Sequence, residues 1–249
     1  MAEIFGNINS IERCSTSIVN ETNFLIKLQG CNMRCLHCSS PETFSHAVNK
    51  KMSVGEVVSK ILQVENFIKN GGVVISGGEP LLQIDFVTEI FKKAKELKLK
   101  TTLDTSGILT NPTDYVKLDK MLMYTDLVLL NIKHIDLELH KKLTGQPNSI
   151  VKQFAMHLSK KDIPTRIRYI AIPNVNTNKK YLIALGEFLA TLRNIKGLDV
   201  IPFRNFAQKY KSLNIEYKLN DIQTPTNEYV QEVKNTIIDS IKNHKNSLI

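Results

Sequence analysis

No apolar stretch in this chain of 249 residues approaches the ~20 residues that a membrane span needs. Its first residues, Met1-Ala2-Glu3-Ile4-Phe5-Gly6-Asn7, lack the basic region and apolar run of a secretory signal. A soluble, cytoplasmic protein is therefore expected. Cysteine is scarce as well, with four residues in all. So few thiols in a long chain without a signal exclude a disulfide scaffold. Acidic side chains are outnumbered, 24 against 33 basic ones, which leaves a net charge of +9. Nucleic acid is nevertheless not the expected partner. The lysines come as scattered pairs (Lys50-Lys51, Lys92-Lys93, Lys141-Lys142, Lys160-Lys161, Lys179-Lys180) with no aromatic residues between them. A solvated surface fits better, one suited to an acidic protein partner. The hydrophobic content of 42% is enough for one sizeable core, so a single domain over residues 1–249 is expected.

The scarce cysteines are not scattered. Three of the four fall within eight residues, Cys31, Cys35 and Cys38, spaced C-x₃-C-x₂-C. Clustered thiolates are soft ligands and hold iron–sulfur clusters. A cubane [4Fe–4S] cluster has four irons, so three cysteines leave one iron open, as catalytic zinc sites leave a position open. A Cys₃His zinc site using His37 is the rival. His37 is adjacent to Cys38, however, and neighbouring residues rarely both turn toward one tetrahedral ion. Zinc modules also bring a second ligand pair across a longer loop, and none follows here.

Hydrophobic periodicity sets a strand–helix alternation around this loop. Apolar runs predict strands at 24–28, 73–76, 101–103, 127–132, 166–172 and 198–203. The capping pattern Ser53-Val54-Gly55-Glu56 predicts a helix running to about Asn70, where Gly71-Gly72 stops it. Phe86, Ile90, Phe91, Ala94 and Leu97 mark another helix, and more are expected at 115–123, 136–143, 149–160 and 179–192. Residues 1–23 read as irregular or as holding a short strand, and 204–223 as a polar loop. Thr224-Pro225 reads as the start of the last helix, which carries Val230, Val233, Ile237 and Ile241. Short apolar strands joined by helices imply an α/β fold with a parallel sheet.

Candidate chemical residues gather at the strands' carboxyl ends. The cysteine loop follows the first of the six, Gly77-Gly78-Glu79 closes the second, Asp104-Thr105 the third, and Asn131 and Lys133 the fourth. Arg168 lies within the fifth, and Arg204 follows the sixth. Parallel α/β barrels place their sites at these ends.

The loop resembles that of radical S-adenosylmethionine (radical SAM) enzymes, which carry C-x₃-C-x-Φ-C with Φ commonly aromatic; His37 stands at Φ. From about Ile4 to His244 the order of motifs resembles the glycyl-radical activating family within them. The resemblance implies a partial (β/α)₆ barrel of the radical SAM type. It implies a cluster loop at 29–40 and a C-terminal loop and helix, 204–244, packed on the barrel. Cys31, Cys35 and Cys38 would hold three irons of a [4Fe–4S] cluster, and S-adenosylmethionine would occupy the fourth. The resemblance assigns the cofactor region to His37, Gly77, Gly78, Glu79, Asp104, Thr105, Asn131, Lys133, Arg168 and Arg204. A monovalent cation is implied beside the Asp104-Thr105 pair. The implied activity is reductive cleavage of S-adenosylmethionine to a 5′-deoxyadenosyl radical, which takes hydrogen from a glycine of pyruvate formate-lyase or a relative. An external electron donor such as flavodoxin is implied, because no further cysteines follow Cys38. A free monomer is expected.

Three departures stand out. Asn131 replaces the family's aspartate, Arg204 its histidine, and Thr16-Ser17-Ile18-Val19-Asn20-Glu21-Thr22-Asn23 keeps only the threonine of T-V-D-G-P-G-I-R. They keep two rivals in view: a radical SAM reaction on a small molecule or RNA base, and a metal-binding protein without activity.

Overall fold

The computed structural model describes residues 3–109, 111 and 114–246. The chain forms two compact units. The first takes the described residues through Asn32 together with Glu42–Leu129; the second takes Met33–Pro41 and the described residues from Leu130 onward.

In the first unit, β1 (Phe5–Ser15), β2 (Asn23–Leu28), β3 (Lys50–Ser53), β4 (Val73–Gly77) and β5 (Thr101–Thr105) lie in the order β3-β1-β2-β4-β5. β2, β4 and β5 run parallel, with Ile26 opposite Ile75 and Ile75 opposite Leu103. Phe24, Leu25, Ile26, Val73, Val74 and Ile75 are fully buried. Strands covered on both faces read as unbroken apolar runs, which is how they announce themselves in the sequence. β1 does not. Its residues FGNINSIERCS are mostly half-exposed or exposed, and it pairs antiparallel with β3 and, through two register irregularities, with β2. The irregular or short segment expected there is an eleven-residue strand. β3 exposes Lys50 and Lys51 at the sheet edge, a placement that discourages further strand pairing.

The capping box on α1 (Val54–Leu62) forms as its pattern predicts, with Glu56 N–H donating to Ser53 Oγ at 3.2 Å and Ser53 N–H to Glu56 Oε2 at 2.6 Å. The helix expected to reach Asn70 is instead broken. β-branched Val64 takes φ −127°, and a separate turn, α2 (Glu65–Ile68), follows. α3 (Ile84–Glu96) buries Phe86, Val87, Ile90, Phe91 and Ala94, and α4 (Asp114–Leu122) packs beside it. β6 (Leu127–Asn131) carries the chain out of this unit.

In the second unit, β7 (Thr165–Ala171) and β8 (Ile195–Pro202) run parallel. They are accompanied by α5 (Leu137–Thr144), α6 (Asn148–Lys160) and α7 (Lys179–Ala190). The loop expected at 204–223 contains a short helix, α8 (Ala207–Ser212). The last helix, α9 (Asn227–Asn246), starts later than Thr224-Pro225 predicts. Thr226 caps it, its hydroxyl accepting from Tyr229 N–H at 3.2 Å. α9 packs along α7, and Ser240 Oγ donates to the Ile183 carbonyl at 2.8 Å. Leu143, Ile172, Phe203 and Leu219 form a buried cluster that Leu36 of the cysteine loop and Tyr217 pack against. Among the described residues β3 pairs only with β1 and β8 only with β7, so the sheet is not closed.

Candidate functional site

The first unit supplies the base of the cysteine loop. β2 ends at Leu28, and the chain turns out through Gln29, Gly30 and Cys31. Gln29 is buried and saturated. Its N–H donates to the Asn7 carbonyl (2.9 Å), its amide to the carbonyls of Glu42 (3.0 Å) and Ser45 (2.8 Å), and its amide oxygen accepts from Asn9 (3.0 Å). Gln83 adds a brace, donating to the Gln29 carbonyl at 2.9 Å and the Asn7 carbonyl at 3.0 Å. Sequence reasoning missed Gln83, since an isolated amide gives no signal. The Cys31 carbonyl lies 3.0 Å from a ring nitrogen of His46.

Beside this base lies Gly77-Gly78-Glu79, at the end of β4. Gly77 has φ +113°, a conformation that favours glycine. A Cβ on Gly78 would fall inside the Gly30 carbonyl oxygen. The two loops approach backbone to backbone, with Gly78 N–H on the Leu28 carbonyl (2.9 Å) and Glu79 N–H on the Gly30 carbonyl (2.8 Å). The glycines thus seat the cysteine loop on β4.

Glu79 is buried, and its carboxylate is fully engaged. It accepts from Thr105 Oγ1 (2.5 Å), Ser106 N–H (2.9 Å) and Leu81 N–H (3.1 Å). Burial outweighs these donors and raises its pKa to about 7. Asp104 accepts from Ser76 at 2.7 Å, and Thr105 Oγ1 also accepts from Gly107 N–H at 2.9 Å. The first unit therefore brings Cys31, Gly77, Gly78, Glu79, Asp104 and Thr105 to the carboxyl ends of three adjacent parallel strands.

The second unit supplies the remainder of the loop. Arg34 N–H donates to the Thr144 carbonyl (2.8 Å) and Leu36 N–H to the Leu143 carbonyl (3.0 Å), which ties the segment to the end of α5. Cys38 N–H closes a turn onto the Cys35 carbonyl at 3.2 Å, and Ser40 N–H reaches Cys38 Sγ at 3.4 Å. His37 is buried, and its Nδ1 has no hydrogen-bond partner among the described residues. Desolvation, and then the charge of Lys133, hold its pKa well below the usual imidazole range, so the ring is neutral.

Lys133 Nζ donates to Asn131 Oδ1 at 3.2 Å. The Lys133 carbonyl is held by buried Asn176 Nδ2 at 3.2 Å. Asn176 also donates to the Ile170 carbonyl and accepts from Ile172 N–H, each at 2.8 Å, pinning the segment to the end of β7. Arg168 lies on β7 opposite Asp199, but it is Arg166 whose guanidinium holds both Asp199 carboxylate oxygens. Arg204 is exposed, next to fully buried Phe203. His134 and His140 are buried, and Cys14 is exposed on β1. Among the described residues no group of three His, Cys, Asp or Glu gathers as a metal site by itself. Cys31 belongs to one unit, Cys35 and Cys38 to the other.

The sequence model of the Radical SAM superfamily matches residues 25–185, from β2 into α7. The chain belongs to the radical SAM superfamily. Among its relatives is a protein of Staphylococcus epidermidis named pyruvate formate-lyase-activating enzyme. It is 36% identical over 233 residues, which cover 91% of this chain and 93% of the relative. A solved domain of pyruvate-formate lyase-activating enzyme from Bacteroides vulgatus is 25% identical, with TM-score 0.57. It covers 69% of this chain and 95% of that one. A radical SAM methyltransferase from Sphaerobacter thermophilus shares the fold at TM-score 0.65 and 14% identity, covering 89% of this chain and 64% of that one.

Radical SAM membership implies a [4Fe–4S] cluster and S-adenosylmethionine. The residues present fit that group. The donor set is three thiols, none in a disulfide, and soft thiolates are what such a cluster takes. Ser40 N–H on Cys38 Sγ is the kind of bond to sulfur that sets a cluster's potential.

Proposed function

We propose that this radical SAM enzyme activates a glycyl-radical enzyme, pyruvate formate-lyase or a relative. The observation that carries the reading is 36% identity to a pyruvate formate-lyase-activating enzyme across nine-tenths of both chains. Held by Cys31, Cys35 and Cys38, a reduced cluster would supply the one-electron chemistry that cleaves S-adenosylmethionine reductively, for hydrogen abstraction from the partner's glycine.

This chain's residues would bind and orient. Cys31, Cys35 and Cys38 would ligate three irons. The Gly77-Gly78-Glu79 segment would offer its backbone to the cofactor, because the Glu79 side chain is already committed to Thr105, Ser106 and Leu81. Buried, neutral His37 would give the adenosyl region an uncharged ring face. Lys133 would meet the cofactor carboxylate, with Arg168 and Arg204 flanking the region. A monovalent cation would sit with Asp104 and Thr105 rather than with Asn131, whose amide oxygen accepts from Lys133. With one cluster in the chain, the electron comes from an external donor such as flavodoxin. We read the whole as a single radical SAM domain, monomeric when free and cytoplasmic; no described helix is long and apolar enough to cross a membrane.

The test is electron paramagnetic resonance. The protein is reconstituted anaerobically, reduced, and mixed with S-adenosylmethionine and pyruvate formate-lyase, while 5′-deoxyadenosine is assayed. A glycyl-radical doublet is expected. Deoxyadenosine without a doublet would move the reading to a small molecule or RNA base. That outcome would put weight on Thr16–Asn23, where Asn23 Nδ2 closes the loop onto the carbonyls of Ser15 (2.7 Å) and Glu21 (2.9 Å).

A further inference from the structure

We propose that Tyr210 is a positioning residue for the iron–sulfur cluster: its hydroxyl clasps the Cys35–Cys38 turn so that both thiols are presented together. The proposal rests on the cluster reading above. Tyr210 lies on α8, inside the segment that reads as a polar loop, and it is buried. Its hydroxyl donates to the Cys35 carbonyl at 3.2 Å. The same carbonyl accepts from Cys38 N–H at 3.2 Å, so the phenol and the Cys38 amide converge on one acceptor inside the turn.

Neighbouring contacts hold the phenol in place. The Tyr217 ring packs against it at 4.6 Å between centroids. Tyr217 packs in turn on the buried Leu143, Ile172, Phe203 and Leu219, which Leu36 also touches. Lys209, one residue earlier on α8, donates to the Ser39 carbonyl at 2.8 Å. α8 is therefore fastened to both sides of Cys38. Cys31 belongs to the other unit, and its own carbonyl faces His46. That asymmetry supplies an internal control.

The experiment uses the full chain with Tyr210→Phe, which keeps the ring and removes the hydroxyl. In the apo protein, alkylation by iodoacetamide is followed at each cysteine by mass spectrometry. Cys35 and Cys38 are expected to react about fivefold faster than in the wild type, the loss of one net hydrogen bond, while Cys31 keeps its rate. In the reconstituted protein, iron is expected to leave to a chelator faster by a similar factor, and the g-values of the reduced cluster are expected to shift. Ile237→Val, in the α9 core, serves as a matched destabilisation and should leave the Cys35-to-Cys31 ratio unchanged. A Tyr210→Phe ratio equal to the wild type would overturn the proposal. So would an equal rise in Ile237→Val, because the effect would then be general loosening. Wild-type protein that takes up no iron and sulfide would instead sink the cluster reading, a failure visible separately from the alkylation ratio.

Discussion

The two stretches that carry the cysteines are built in opposite ways. Around Cys31 the backbone is braced by side chains. Gln29, Gln83 and Glu79 each satisfy several backbone groups, and Gly78 leaves no room for a side chain. Around Cys35 and Cys38 the braces come from the backbone at the end of α5 and from α8: the Arg34 and Leu36 N–H groups lie on the Thr144 and Leu143 carbonyls, and Tyr210 on the Cys35 carbonyl. The contrast teaches that the first stretch is fixed by side chains of its own unit, whereas the second is fixed by elements more than a hundred residues further along the chain.

The strongest way to break this contrast is Gly78→Ala. The new Cβ would meet backbone rather than a movable side chain. The expected loss is more than ~3 kcal/mol of stability, beyond ordinary overpacking, together with loss of iron binding. Denaturant unfolding and iron analysis would check it; a variant of wild-type stability would mean that the two loops are not seated on each other.

Asn176→Ala comes next. It strands the buried N–H of Ile172 and the carbonyls of Lys133 and Ile170, so about 2–4 kcal/mol should be lost. If Lys133 meets the cofactor, the KM for S-adenosylmethionine should rise more than kcat falls. A fall in kcat alone would remove Asn176 from the cofactor's support.

Glu79→Gln sharpens the comparison through pH. An unfolded Glu79 releases its proton near 4.5, the folded one near 7. Between these values the folded state binds more protons, so this residue's contribution to stability falls as pH rises, by roughly 3 kcal/mol in total. The glutamine variant should lose that slope. At pH 5 it should be slightly less stable than wild type, because its amide cannot accept from all three donors. Thermal melts at pH 5, 6, 7 and 8 would show it, and a slope shared by both proteins would contradict it.

The smallest effect is expected from His37→Phe. It removes the unpartnered Nδ1 and restores the aromatic residue common at that position in the family. Stability should change by less than about 1 kcal/mol, with S-adenosylmethionine cleavage within a few-fold of wild type. A large loss in a folded, cluster-loaded variant would mean that the imidazole itself contacts the cofactor.

What could be read in the sequence follows from what makes each element. β2 and β4 are buried on both faces and stand out as apolar runs, and the capping box of α1 names itself. The cysteine spacing and the groups at the strand ends were equally visible. β1 was hidden because its composition is polar, its pairing depending on neighbours far along the chain. Gln83, Asn176 and Tyr210 were hidden for a related reason. Each acts by hydrogen bonds to backbone 43 to 175 residues away, which no local pattern encodes. Glu79 shows the reverse case, since its motif was legible but its side chain's role as a brace was not.

The way the chain divides has a consequence during synthesis. Met33–Pro41 belongs to a unit whose other residues begin only at Leu130. Tyr210, which holds the Cys35 carbonyl, emerges 175 residues after it. At ribosomal speeds of ~5–20 residues per second that delay is roughly 10–35 seconds. Throughout it Cys35 and Cys38 travel on an unfinished chain without the contact from α8. The turn that presents these two thiols is therefore completed only when nearly the whole chain has been made, and for that interval the thiols depend on the reducing power around them rather than on α8.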